Sequence, residues 1–210
     1  NGFTDGEVLV VAYQNASTTG GSAIILDGGL STSGDIVHLD FTAPYTSGDA
    51  FMSLASSYSF GDGQYTTVDV TTSSTASRPL TSAAGGNDDG SFEGVNGALI
   101  TAGGIGDNPL NPLNPLTQGA SYDDEFYNLA LGNSLNATPF LQVGDTFVEL
   151  KTINPSNDDN VFGLFFSSTF QIGDVITSPV PEPETYAMLL VGLGLVGFSA
   201  RRRKPSLSLI

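Results

Sequence analysis

The 210-residue chain has no cysteine, no tryptophan and a single histidine, and it sets only six lysines and arginines against 22 acids. Without cysteine there is no disulfide framework, no thiolate metal site and no thiol nucleophile, although this absence does not fix the compartment. One histidine and no cysteine are a poor ligand set for zinc. Any histidine-dependent triad would have to use His38, which sits on the polar side of an alternating segment beside Asp40, an ordinary surface setting. The missing tryptophan removes one stacking platform for sugar rings and leaves tyrosine as the substitute.

Positive charge is nearly absent from most of the chain. Arg201, Arg202, Arg203 and Lys204 are consecutive, and the tail from Pro181 onward carries four bases and two acids. The whole chain is −16, so residues 1–180 carry −18, with Arg78 and Lys151 as their only bases. Binding to a phosphate backbone depends on Lys and Arg that release counterions, so nucleic acid is excluded as a partner. Such charge suits divalent cations or solubility in a polymer-rich exterior. The chain begins at Asn1 without Met, and removal of a signal peptide is the expected reason.

The body reads as β. Residues 7–13 (EVLVVAY), 22–26 (SAIIL), 65–72 (YTTVDVTT) and 146–153 (TFVELKTI) are short, β-prone runs. In residues 35–41 (DIVHLDF), Val37, Leu39 and Phe41 share one face, with His38 and Asp40 on the other. Residues 160–170 (NVFGLFFSSTF) start apolar on both faces, which predicts a central strand. Turn signals DGG, GDG, GGNDDG, VGD and NPSNDDN separate these runs. Many short strands between such turns predict an antiparallel β-sandwich or jelly-roll-like domain. One short helix is expected over residues 121–132. Ser121 would cap it, Tyr122, Phe126 and Leu129 would form its apolar stripe, and Gly132 would end it. The triplet repeat NPLNPLNPL at 108–116 blocks helix and central strand and reads as an extended loop.

The body offers few chemical constellations. Asp88 and Asp89, then Asp123, Asp124 and Glu125, then Asp158 and Asp159 are clustered acids on turn-like sequence. With neighbouring Asn, Gly and Ser they supply the oxygen donors that Ca²⁺ prefers, so calcium is the one candidate cofactor. Solvated turns built from turn-forming residues explain the same clusters. Paired carboxylates also serve glycosidases, but only at a defined separation that sequence does not give. Lys151 is the only lysine available for an intramolecular isopeptide bond, which requires a buried lysine.

The C-terminal region is the most specific. Pro181, Glu182 and Pro183 precede an uncharged, mainly apolar block at 186–200, and the four bases follow directly. Fifteen residues are short of the usual ~20 for a membrane span, but Arg and Lys can snorkel to the interface. The bases would hold that end in the cytoplasm and place the acidic body outside. GLGLVG at 192–197 matches the spacing of a dinucleotide loop. It lacks the preceding strand and the acid about 20 residues on that the motif needs, and glycines are common in membrane helices.

Taken together, VPEPETYAMLLVGLGLVGFSARRRK at 180–204 resembles a PEP-CTERM sorting signal, with its Pro-Glu-Pro signature, transmembrane block and arginine cluster in order. The resemblance implies export in a Gram-negative bacterium, handling by an exosortase as partner, and cleavage near the Pro-Glu-Pro. It also implies association with exopolysaccharide and biofilm. The DDE-aromatic patch and the NPSNDDN turn resemble segments of other proteins with this tail, to which no activity is attached. The expected organisation is a secreted acidic β-rich domain at 1–178, a Pro-Glu-Pro linker at 179–185, a single transmembrane helix at 186–200 and a basic cytoplasmic tail at 201–210. The expected path is an inner-membrane intermediate, then the cell surface or extracellular matrix. The leading function is that of a non-enzymatic surface or matrix protein. A carbohydrate-binding or adhesive module, calcium-assisted, is the alternative, and a polysaccharide-active hydrolase is the second. Calcium binding would appear as a lower melting temperature in EDTA; an unchanged melting temperature excludes it.

Overall fold

The computed structural model describes residues 8–18, 20–28, 34–57, 66–84, 100–103, 125–155 and 160–177, all within the unit Asn1–Ser178. They form ten strands: β1 (Ser22–Asp27), β2 (Ile36–Phe41), β3 (Ala50–Ser57), β4 (Thr66–Thr72), β5 (Arg78–Ala84), β6 (Ile100–Ala102), β7 (Phe126–Asn128), β8 (Phe147–Ile153), β9 (Asn160–Ser168) and β10 (Ile172–Thr177). The body is mainly β, in two five-stranded antiparallel sheets. One sheet runs β1-β9-β3-β6, with β7 also on β3. β6 pairs Ala55–Ser57 and β7 pairs Phe51–Ser53, so the two short strands share one side of β3. The other sheet runs β10-β2-β8-β4-β5.

Side-chain alternation explains why these strands make one core. In β2, Val37, Leu39 and Phe41 turn inward while His38 and Asp40 turn outward, as the pattern predicts. Val68 and Val70 of β4 and Val148 and Leu150 of β8 face the same interior. Met52 and Leu54 of β3 and Leu164 and Phe166 of β9 meet them from the other sheet in a single apolar cluster. Each fully buried side chain of this size contributes about 1.5–3 kcal/mol. β9 takes the central place expected of it, between β1 and β3. Its register shifts where Ala55 faces Gly163 and Ser56 faces Val161, which restores the inward phase after a bulge.

Two sequence expectations fail. Residues 121–124 lie outside the described residues, but the rest of the expected helix is extended: Phe126–Asn128 pairs with β3, and a turn follows. The i, i+3 spacing of Phe126 and Leu129 suited a helix. Pairing with β3 overrides it, because it buries Tyr127 and Leu129 and extends the backbone bonding from Leu129 N–H to Ala50 O. Residues 8–13 form no strand, despite their β-branched composition. Leu9, Val11 and Tyr13 are 88%, 69% and 77% exposed. β propensity is a capacity to pair, and these residues have no ladder partner among the described residues.

A buried carboxylate organises the turns at one end of the body. Asp145 is fully buried. Its carboxylate accepts hydrogen bonds from Gln142 N–H at 2.7 Å, Ser74 N–H at 2.9 Å and Ser73 Oγ at 3.0 Å. Its backbone carbonyl accepts from Tyr45 N–H at 2.7 Å, and Gly144 N–H returns a bond to Tyr45 O at 2.7 Å. Gly144 holds φ at 99°, a conformation that glycine adopts without penalty. One residue thus ties the β2–β3 loop, the β4–β5 turn and the start of β8. Burial pushes the Asp145 carboxyl up, but the bonds from Gln142, Ser74, Ser73 and Thr72 outweigh it and hold the group below the usual carboxylate range.

A carboxyl whose folded pKa is depressed stabilises above its unfolded value and loses that contribution as pH falls through the folded value. Asp145→Asn should therefore cost on the order of 2 kcal/mol at pH 7. Its deficit relative to wild type should shrink below about pH 4, as measured by thermal unfolding across pH. A constant deficit at all pH values would contradict this role.

Candidate functional site

The sequence-derived acids separate by place. Asp88, Asp89, Asp123, Asp124, Asp158 and Asp159 lie outside the described residues. Glu125 is 3% exposed, and its Oε2 accepts a hydrogen bond from Tyr127 Oη at 2.9 Å. Among the described residues no three His, Asp or Glu side chains converge as metal ligands.

His38 sits on the outer face of its sheet, as expected. Its Nδ1 lies 3.3 Å from Glu149 Oε2 and its Nε2 lies 3.2 Å from Asp40 Oδ1. The ring stacks on Phe147 with centroids 4.5 Å apart. β2 and β8 are register neighbours, with His38 opposite Glu149, so the contact is a cross-strand pair. Among the described residues both ring nitrogens face carboxylates. The contacts join β2 to β8 as a clasp.

The two bases of the body are placed differently. Lys151 is exposed on β8, in register with Asp69 of β4 and Ile36 of β2. An isopeptide bond needs a buried lysine, and this one is not. Arg78 is turned inward to a loop. Its guanidinium donates to Asn136 Oδ1, Thr138 O, Pro139 O and Phe140 O and lies 4.7 Å from the centre of the Phe140 ring. Four protein acceptors occupy its two terminal nitrogens, while Nε is buried without a hydrogen-bond partner, so the group braces residues 136–140 rather than presenting charge to an anion. Asn133 braces the same loop by donating to Leu80 O at 2.8 Å.

A feature that sequence reading missed lies on the outer face of the first sheet. Val10 and Val11 border an open groove of about 180 Å³ with Ile25, Phe51, Phe126 and Phe165. Phe51 and Phe126 stack at 5.2 Å with planes 12° apart. The available signal was the pair FMSLAS and NVFGLFF, each with an aromatic at an outward position.

The tail residues Pro181, Glu182, Pro183, Arg201, Arg202, Arg203 and Lys204 lie outside the described residues, as does the expected span at 186–200. Among the described residues no helix is long and apolar enough to cross a membrane. Residues 179–204 match the family model of the PEP-CTERM protein-sorting motif. The chain carries a PEP-CTERM sorting motif. The match takes in the Pro-Glu-Pro, the apolar block and all four consecutive bases, and leaves the β body outside it. No curated protein and no solved structure matches the chain. A PEP-CTERM motif implies an exported protein that associates with the membrane and is processed by an exosortase. The sorting motif is thus confined to the tail, and the described part of the body is a braced β scaffold.

Proposed function

We propose that this chain is a non-enzymatic surface or extracellular-matrix protein, delivered through a membrane intermediate and released from its tail by an exosortase. The observation that carries the reading is the sorting motif at 179–204. In this reading the apolar block at 186–200 crosses the membrane and Arg201, Arg202, Arg203 and Lys204 stay on the cytoplasmic side. Cleavage near Pro181, Glu182 and Pro183 frees the body. The charge of the body supports an exterior role among polymers: −18 over residues 1–180 favours solubility and mutual repulsion. Exopolysaccharide is the proposed surrounding, and the body acts there as a component of the biofilm matrix.

The triple substitution Pro181→Ala, Glu182→Ala and Pro183→Ala tests this in the producing cell. The body should shift from the extracellular fraction to the membrane fraction, with its fold unchanged by circular dichroism. Equal release of the variant and the wild type would overturn processing at this site.

A further inference from the structure

Four of the five strands that border the two sheets carry a device that discourages pairing with another chain, and one does not. β6 and β7 are three residues long. β5 carries Pro79, and its register with β4 is irregular. β10 contains Asp174 and a register shift between Ile172 and Asp174. Short length, proline, bulges and inward or edge charge are the usual protections of a sheet border. β1 has the sequence SAIILD, pairs with β9 in unbroken register, and has no partner among the described residues on its other side. Its one charge, Asp27, is at the end, and Ile25 is 51% exposed.

The same chain displays a segment suited to that border. Residues 8–13 read VLVVAY, are uncharged and rich in β-branched residues, and form no ladder among the described residues. They are apolar at both alternating sets of positions, as a strand needs when both faces it joins are apolar. β1 presents such faces, with Ile24 and Leu26 packed against the core on one side and Ile25 beside the aromatic groove on the other. The protein's own copy is led elsewhere. A turn closed by Thr18 N–H to Asn15 O at 3.1 Å and Ser17 N–H to Asn15 Oδ1 at 2.8 Å precedes β1, and Val10 and Val11 lie along the outer face with Phe51 and Phe126. Among the described residues that course leaves the β1 border open and leaves Leu9, Val11 and Tyr13 exposed, so the segment departs at the cost of the Val10 and Val11 contacts along the groove.

We propose that residues 8–13 of one molecule add as a strand to the β1 border of a second copy. Backbone hydrogen bonds supply the attraction, and the apolar side chains on both faces set its preference. The donor and acceptor surfaces differ, so the contact is head-to-tail and each added copy presents a new open border. The product is a linear assembly of the body. This inference concerns the body alone and does not rest on processing of the tail.

The test uses the full chain in detergent. Sedimentation velocity over a range of concentrations should show species larger than the monomer. The double variant Leu9→Lys, Tyr13→Pro alters two exposed positions that are outside the groove and outside any ladder among the described residues, so its melting temperature should equal that of wild type while association weakens at least tenfold. Because the chain has no cysteine, a second readout is clean. A Leu9→Cys chain mixed with a mass-tagged Ile25→Cys chain should oxidise to the mixed dimer. A monomer at every concentration would overturn the proposal. So would association unaffected by the double variant, which would place the contact elsewhere, such as the tail. A chain carrying both Leu9→Cys and Ile25→Cys that closes only within itself would show own-chain pairing and would also overturn it.

Discussion

A carboxylate sealed from water has to be answered by protein donors, and Asp145 makes that requirement into architecture. Its three acceptor contacts reach Gln142, Ser73 and Ser74, and its backbone reaches Tyr45. The hydrophobic core is non-directional and would tolerate several offsets between β4 and β8. The bonds to Asp145 select one of them, because the β4–β5 turn and the start of β8 must both present donors to the same side chain. The inward residues Val68, Val70, Val148 and Leu150 then fall into phase.

The strands with apolar or β-branched runs were legible in sequence: β1, β2, β4, β8 and β9 coincide with such runs, and β2 alternates as well. Others were not, for physical reasons. β3 hides its alternation of Ala50, Met52 and Leu54 among serines and alanines, whose small side chains give a weak pattern although all three core positions are fully buried. β5 and β10 are border strands with Pro79 and Gly173, residues that argue against a strand when read without knowledge of its place in the sheet. The helix expected over 121–132 failed because Phe126 and Leu129 satisfy helical spacing and a strand followed by a turn equally well. Only the partner strand β3 decides between them.

Function was legible in one place. The sorting motif is contiguous, so its order of proline-acid-proline, apolar block and bases survives in one dimension. The aromatic groove is not contiguous: Ile25, Phe51, Phe126 and Phe165 come from four strands and meet only after β1, β9, β3 and β7 have paired. His38 was read correctly as a surface residue, but its clasp with Glu149 needed the β2–β8 register. The acid clusters considered for calcium remain proposals of the sequence, with Glu125 hydrogen-bonded to Tyr127.

The body and the tail therefore divide the work. In the proposed reading the tail determines the route, and the body is the folded, acidic unit that is delivered. That account stands or falls on the C-terminus of the protein found outside the cell. Intact-mass spectrometry of the extracellular form is the direct measurement. The account predicts a mass that ends near Pro181, Glu182 and Pro183, with no peptide from the apolar block. A mass that extends through Ile210 would contradict it.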